Sequence, residues 1–278
     1  MYVMTASEMQ KVDHVTIHEL GIPGLLLMEN AGISVVESFQ EHFDIEEPGR
    51  ILIVCGKGNN GGDGFVCARQ LKKLGHQVRV ILLGAGNALK GDSAVNFNAA
   101  RNSGIEILEA ADMDAWNQMR RLLYEHDFIF DGIFGTGLSK PASGIYAEAI
   151  EEMNRSGRDV ISIDIPSGIS SDTGKIIGPS VEAALTVTYG SLKHCHIFPP
   201  AEAYCGRVVL ADIGFPEHVM QEYASRVHFL TPDRIAGSFP QRERTGHKGT
   251  YGHLLVIAGS RGKTGAAVLV GEGALRTG

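Results

Sequence analysis

Cys55-Gly56-Lys57-Gly58-Asn59-Asn60-Gly61-Gly62-Asp63-Gly64-Phe65 is the stretch whose reading decides the fold. The apolar run before it, Ile51-Leu52-Ile53-Val54, reads as a buried parallel strand. Behind it, Val66, Ala68, Leu71 and Leu74 trace the apolar face of a helix expected over 62–74. A strand, a glycine loop and a helix bring backbone N–H groups and a helix N-terminus up to an anionic ligand. Five glycines in the nine residues from Gly56 to Gly64 predict close backbone approach and positive φ angles. The stretch is read as a binding loop.

On its N-terminal side, Thr5-Ala6-Ser7-Glu8 carries the signature of a helix capping box, followed by Met9, Val12, Ile17 and Leu20. Gly21 ends that helix, and Pro23 opens a second over 25–43, with Leu26, Met28, Val35 and Val36 expected inward. Lying before the first strand, these helices either pack across the sheet or form an oligomer contact in a homodimer or larger homo-oligomer. Asn30-Ala31-Gly32 fits close packing or a ligand edge, and packing is the favoured reading.

On the other side the pattern alternates. Strands are expected over 77–83, 105–108, 128–130 and 160–165, with helices over 91–102, 115–124 and 144–154. That rhythm implies a three-layer, Rossmann-like α/β fold with a mostly parallel, doubly wound sheet. Further strands are expected over 185–189, 208–210 and 227–230, with a short helix after Pro216. Thr231-Pro232-Asp233 marks a boundary between a first domain, 1–230, and a segment 231–278. That segment opens with a polar linker over 238–245 and holds one expected strand, 254–257, and one helix, 266–275. Two elements cannot enclose a core, so the segment either docks on the first domain or, the favoured reading, is the beginning of an incomplete second domain.

A net charge of −7 argues against broad binding of nucleic acid or anionic membrane. The basic stretch from Arg242 to Lys248 is interrupted by Glu243 and reads as linker. Cys55, Cys67, Cys195 and Cys205 lack metal-type spacing and read as buried thiols in a reducing compartment. With no leader pattern and no bilayer-length apolar run, the cytoplasm is the expected location.

In open α/β sheets, ligands bind beyond the carboxyl ends of the strands, where strand order reverses. Besides the opening loop, Asp131-Gly132-Ile133-Phe134-Gly135-Thr136-Gly137-Leu138 and Asp164-Ile165-Pro166-Ser167-Gly168 fall at such ends. The three clusters are expected to meet at one crevice, although Asp131 and Asp164 could each simply cap a turn. Gly56-Lys57-Gly58-Asn59-Asn60-Gly61 is formally G-x-G-x-x-G, yet Gly84-Ala85-Gly86-Asn87 lacks the acid that would hold a ribose. Ordinary dinucleotide binding is therefore disfavoured. Gly262-Lys263-Thr264 misses a P-loop because Ile257 stands where its first glycine belongs. Candidate proton-transfer groups are Asp164, Asp131, Asp63 and Lys193, the last being equally readable as an exposed loop charge. His194 and His196 flank Cys195 without further ligands, so no metal site is expected there.

The three clusters occur in one chain as Gly58–Gly64, Asp131–Gly137 and Ile163–Gly168, joined by Thr186-Val187-Thr188-Tyr189-Gly190 with Lys193 and by 206–216. Together they closely resemble the YjeF-type N-terminal domain, the NAD(P)H-hydrate epimerase family, over roughly 5–230. The tail from His247 to Ser260 is similar to the start of the ribokinase-like, ADP- or ATP-dependent dehydratase often fused behind it. The resemblance implies an isomerase acting on hydrated NADH or NADPH (NADHX, NADPHX). It also implies a substrate cradle of Asn59, Asn60, Gly61, Gly62, Asp63, Gly135, Thr136, Gly137, Leu138, Ser139, Lys140, Pro141, Tyr146 and Asp164. Catalysis would fall to Asp164 and Lys193, and K+ would be held by Asn60, Asp131 and Ser167. A non-catalytic nucleotide-binding scaffold on the same fold is the alternative.

Overall fold

The computed structural model describes residues 1–238, 243–247 and 249–277. They form two compact units, Met1–Phe229 and Leu230–Gly278. Residues 239–242 of the linker expected over 238–245 and both ends of the basic stretch, Arg242 and Lys248, lie outside the described residues.

The first unit is built on a seven-stranded sheet in the order β3-β2-β1-β4-β5-β6-β7. The strands are β1 (Arg50–Cys55), β2 (Gln77–Leu82), β3 (Glu106–Glu109), β4 (Phe128–Gly132), β5 (Asp159–Ile163), β6 (Leu185–Tyr189) and β7 (Arg207–Ala211). Every pairing is parallel, where the sequence implied a mostly parallel sheet. Alternation along β1 feeds two cores. Ile51, Ile53 and Cys55 face α2 (Gly24–Phe43), α3 (Asn59–Lys73) and α4 (Gly91–Asn102). Leu52 and Val54 face the opposite layer of α5 (Met113–Met119), α6 (Leu122–Glu125) and α7 (Ile145–Arg155). Sandwiching explains why β1 is apolar throughout rather than alternating with polar residues.

Several expectations are corrected. The helix expected over 115–124 is two helices, and the turn at Arg120–Arg121 brings Leu122 as well as Leu123 into the core beside Trp116. Leu26 is half-exposed, and Leu27 takes the inward position on α2. Residues 227–230 are not a strand, because only His228 finds a bridge partner, Tyr2. The N-terminal capping box is present: Glu8 N–H donates to Thr5 Oγ1, and Thr5 N–H to Glu8 Oε2, opening α1 (Ala6–His14). Helix α1 packs against α8 (Glu217–Tyr223), and α2 against α3.

The opening stretch also differs from its reading. Helix α3 starts at Asn59, three residues before the expected start, and none of its glycines has a positive φ. They are required by close approach instead. A Cβ on Gly61 would lie 2.0 Å from the Gly56 carbonyl oxygen, and one on Gly56 2.1 Å from that of Ile133. Gly32 of α2 likewise meets α3, since its Cβ would fall 2.4 Å from Val66 Cγ1. The favoured packing reading of Asn30-Ala31-Gly32 thus holds at Gly32.

In the second unit, α9 (Pro232–Ala236) and α10 (Gly265–Thr277) are the helices among the described residues. Residues 254–257 are not a strand: no ladder partner is found among the described residues, and Leu255 and Ile257 stand exposed. High β propensity without a neighbouring strand leaves backbone groups to water rather than to a ladder.

Candidate active site

Strand order reverses between β1 and β4, so the loops leaving these strands diverge to opposite layers and open a crevice. A cavity of about 580 Å³ occupies it. Gly58, Asn59, Asn60 and Asp63 form one wall, Ile133 to Leu138 a second, and Asp164, Tyr189 and Lys193 the floor beyond β5 and β6. The three strand-end clusters do converge.

Asp164 follows β5 directly and is a non-glycine residue in the left-handed region, at φ 65. Its N–H donates to Val187 O at 2.8 Å. Its Oδ1 accepts from Thr188 Oγ1 at 2.9 Å and from Lys193 Nζ at 2.8 Å. Oδ2 has no hydrogen bond among the described residues and would lie 3.1 Å from a Cβ at Gly135. A side chain at Gly135 would crowd this oxygen and Asn60 Oδ1, which lies 3.2 Å from the same position. Burial pushes the Asp164 carboxyl up, but the charge and hydrogen bond of Lys193 outweigh it and hold the group below its ordinary value.

Lys193 is 2% exposed, so it is not an exposed loop charge. Its three N–H bonds go to Asp164 Oδ1, Thr188 Oγ1 at 2.7 Å and Tyr189 O at 3.0 Å. All three of its donors are spent inside the protein, one of them on Asp164, which leaves none for an incoming phosphate.

Asp131 is fully buried at the end of β4. Oδ1 accepts from Ser167 Oγ at 2.6 Å and Ile133 N at 3.2 Å; Oδ2 accepts from Ser162 Oγ at 3.0 Å and Ser167 N at 2.8 Å. Burial raises this carboxyl, and the serine and backbone donors only partly offset that. No ion-pair partner for it occurs among the described residues. Asn60 O would come within 3.1 Å of a Cβ on neighbouring Gly132, so Asn60, Asp131 and Ser167 occupy one corner behind the cavity wall. An uncompensated buried carboxylate grouped with amide and hydroxyl oxygens fits a hard cation. No cluster of three His, Cys, Asp or Glu suited to a metal occurs among the described residues.

Asp63 lines the cavity and is 9% exposed, and its carboxylate has no hydrogen bond or ion pair among the described residues. Burial, with the nearby charges of Asp164 and Asp13, pushes its carboxyl well above the ordinary value. Tyr146 lines the cavity through its ring, because its hydroxyl donates to Leu83 O at 3.1 Å. Gly61, Gly62, Ser139, Lys140 and Pro141 do not reach the cavity surface; Gly62 packs on Met28, and Pro141 on Gly178. His194 stacks on Phe198, and His196 holds backbone groups of Lys193 and Asp164.

The remaining wall was not foreseen. Met9, Gln10 and Asp13 of α1, Leu27, Met28 and Ala31 of α2, and Asp92 close the cavity from the N-terminal side. Their apolar spacing announces burial but not the surface they cover. Ala31 was the one legible hint, as a small residue at a ligand edge.

Fold and cavity together define a Rossmann-like α/β protein with a small-molecule site at the reversal of strand order. The chain belongs to the family described as YjeF-related protein N-terminus, whose family model matches residues 24–195. It is 39% identical over 279 residues to the bifunctional NAD(P)H-hydrate repair enzyme Nnr of Moorella thermoacetica, covering 100% of this chain and 53% of that protein. It is 37% identical over 209 residues to the NAD(P)H-hydrate epimerase of Limosilactobacillus fermentum, covering 75% of this chain and 95% of that protein. The chain thus spans about half the length of the bifunctional relatives it matches. Among solved structures, yeast ynu0 (YNL200c) shares the fold at a TM-score of 0.68 and 22% identity, over 84% of this chain and 98% of the yeast chain. No helix among the described residues is long and apolar enough to cross a membrane.

Proposed function

We propose that this chain is an NAD(P)H-hydrate epimerase, an isomerase that interconverts the R and S forms of NADHX and NADPHX in repair of nicotinamide cofactors. Family membership and the near-complete coverage of relatives named NAD(P)H-hydrate epimerase support the reading. The observation that carries it is Asp164, a carboxylate held ionised by Lys193 with one oxygen turned to the cavity.

Asp164 Oδ2 takes the proton of the ring hydroxyl as the carbinolamine C–N bond breaks, the C=O forming while the bond's electron pair passes to the ring nitrogen and its conjugated carboxamide. The nitrogen then re-attacks the carbonyl carbon on the other face, and Asp164 returns the proton to the oxygen. Lys193 holds the carboxylate ionised and Thr188 fixes Oδ1, so Oδ2 is the oxygen available to the substrate. Helix α3 offers its first N–H groups, which no side chain caps, and Lys57 beside them to the substrate's phosphates. The cradle comprises Asn59 to Asp63, Gly135 to Leu138, Tyr146 and Asp164, with Gly61 and Gly62 set back from the cavity surface behind it. Asn60, Asp131 and Ser167 would hold K+, whose charge compensates Asp131 and ties the three strand-end loops together.

Residues 231–278 are the linker and beginning of a ribokinase-like dehydratase domain that uses ADP or ATP, in a bifunctional, cytoplasmic protein. Supporting this, the match to the Moorella protein runs over this chain's full length.

NMR of mixed R and S NADHX tests the function. Exchange between the two should accelerate with the protein present and depend on potassium. No acceleration would favour a binding scaffold.

A further inference from the structure

We propose that His196 is a positioning residue for catalysis, one imidazole that ties the backbone of Asp164 to the backbone of Lys193 and so fixes the carboxylate's aim. This rests on the epimerase reading of the same site. The ring is 6% exposed and does not line the cavity, so it acts on the two residues and not on substrate.

Its two nitrogens have separate duties. Lys193 N–H donates to Nδ1 at 3.1 Å, and Nε2 lies 3.1 Å from the Asp164 carbonyl oxygen. Because Nδ1 is used as an acceptor, the proton of the neutral ring sits on Nε2 and is donated to Asp164 O. The charged groups facing the ring are Lys193 and Asp164 themselves. Burial, with the Lys193 ammonium adding, lowers its pKa to about 4, so the neutral form with one donor and one acceptor persists at physiological pH.

The clamp matters because of what it restrains. Asp164 occupies the left-handed region, which a non-glycine residue adopts only where its surroundings over-determine it. Its N–H is tied to Val187 O, its side chain to Thr188 and Lys193, and its carbonyl to His196. The first three ties come from β6 or the residues just after it. His196 closes the loop between the carboxylate and its counter-ion. Without the ring, Asp164 O loses its donor and the turn carrying Lys193 loses its acceptor, so Oδ2 drifts from Gly135 and Nζ from Oδ1.

The test uses the full chain. His196→Phe keeps the ring volume and removes both hydrogen bonds; His196→Gln restores a donor near the Nε2 position. Expected for His196→Phe are a 10- to 100-fold fall in kcat for NADHX, a KM change under threefold, and recovery of at least tenfold of kcat in His196→Gln. A carboxyl-resolved NMR titration of Asp164, which needs no substrate, should show its pKa rising in His196→Phe. If His196→Phe does not fold, His196→Asn, too short to reach Asp164 O, must show the same fall and the same rise. Wild-type kcat together with an unmoved Asp164 titration in the folded variant would overturn the proposal. Wild-type protein inert toward NADHX would instead overturn the epimerase reading, leaving the titration to judge the clamp by itself.

Discussion

Asp131 and Asp164 stand at the carboxyl ends of neighbouring strands, both buried, with opposite electrostatics. Asp131 spends both oxygens on four hydrogen bonds from neutral donors, and burial still raises it. Asp164 has only two side-chain hydrogen bonds, yet one comes from an ammonium and the group is lowered. A single buried cation does more for a carboxylate than several neutral dipoles. The geometry follows the same division: both Asp131 oxygens face donors inside the protein, whereas Asp164, which lines the cavity, keeps Oδ2 without a hydrogen bond among the described residues. Under the proposed function, one residue organises the loops and the other takes the substrate's proton.

Removing the cation should break the contrast most severely. Lys193→Met leaves a buried, unpaired carboxylate, so a loss of roughly 3–5 kcal/mol in unfolding free energy is expected by denaturant titration. Activity should fall with it, and the acid limb of the pH–rate profile should rise from below the ordinary carboxylate range. At the other carboxylate, Asp131→Asn turns an amide N–H toward the donors of Ser162 or Ser167. Its expected cost is about 1–3 kcal/mol, together with loss of potassium dependence in the R/S exchange assay. Gly135→Ala sharpens the point about the free oxygen, since the new methyl crowds Asp164 Oδ2 and Asn60. It should lower kcat about tenfold while shifting Tm by only a few degrees, as fits a substitution felt in the cavity more than in the core.

Asp63 gives the smallest and most specific effect. Its folded-state carboxyl stays protonated well above the ordinary range, while in the unfolded chain it ionises near pH ~4. The folded state then holds the extra proton, so stability falls as pH rises above about 4. Asp63→Asn removes that loss. Its Tm minus that of wild type should become steadily more positive between pH ~4 and ~7, and a flat difference would show that Asp63 ionises normally.

The strand-end clusters were legible because their signals are local: an apolar run, then an acid or glycine where a parallel strand must end. What escaped depends on partners distant in sequence. Nothing around Lys193 in Ser191-Leu192-Lys193-His194 says that Thr188 and Asp164 will enclose it. Met9 and Asp13 precede the whole sheet, and their helix is held at the cavity by packing on α8, which no periodicity encodes. The glycines of the opening stretch were expected for close backbone approach and left-handed turns; close approach holds at Gly56 and Gly61, against the carbonyls of Ile133 and Gly56 rather than a ligand, and none has a positive φ. Residues 227–230 and 254–257 have the composition of strands but lack an edge to join.

The central claim is that the ionised Asp164 performs the epimerisation. Exchange NMR on mixed R and S NADHX, with wild type and Asp164→Asn at equal concentration, tests it directly. The account predicts rapid exchange with wild type, and exchange at the uncatalysed rate with a variant that is still folded and still binds NADHX. Exchange at the wild-type rate in Asp164→Asn would contradict it.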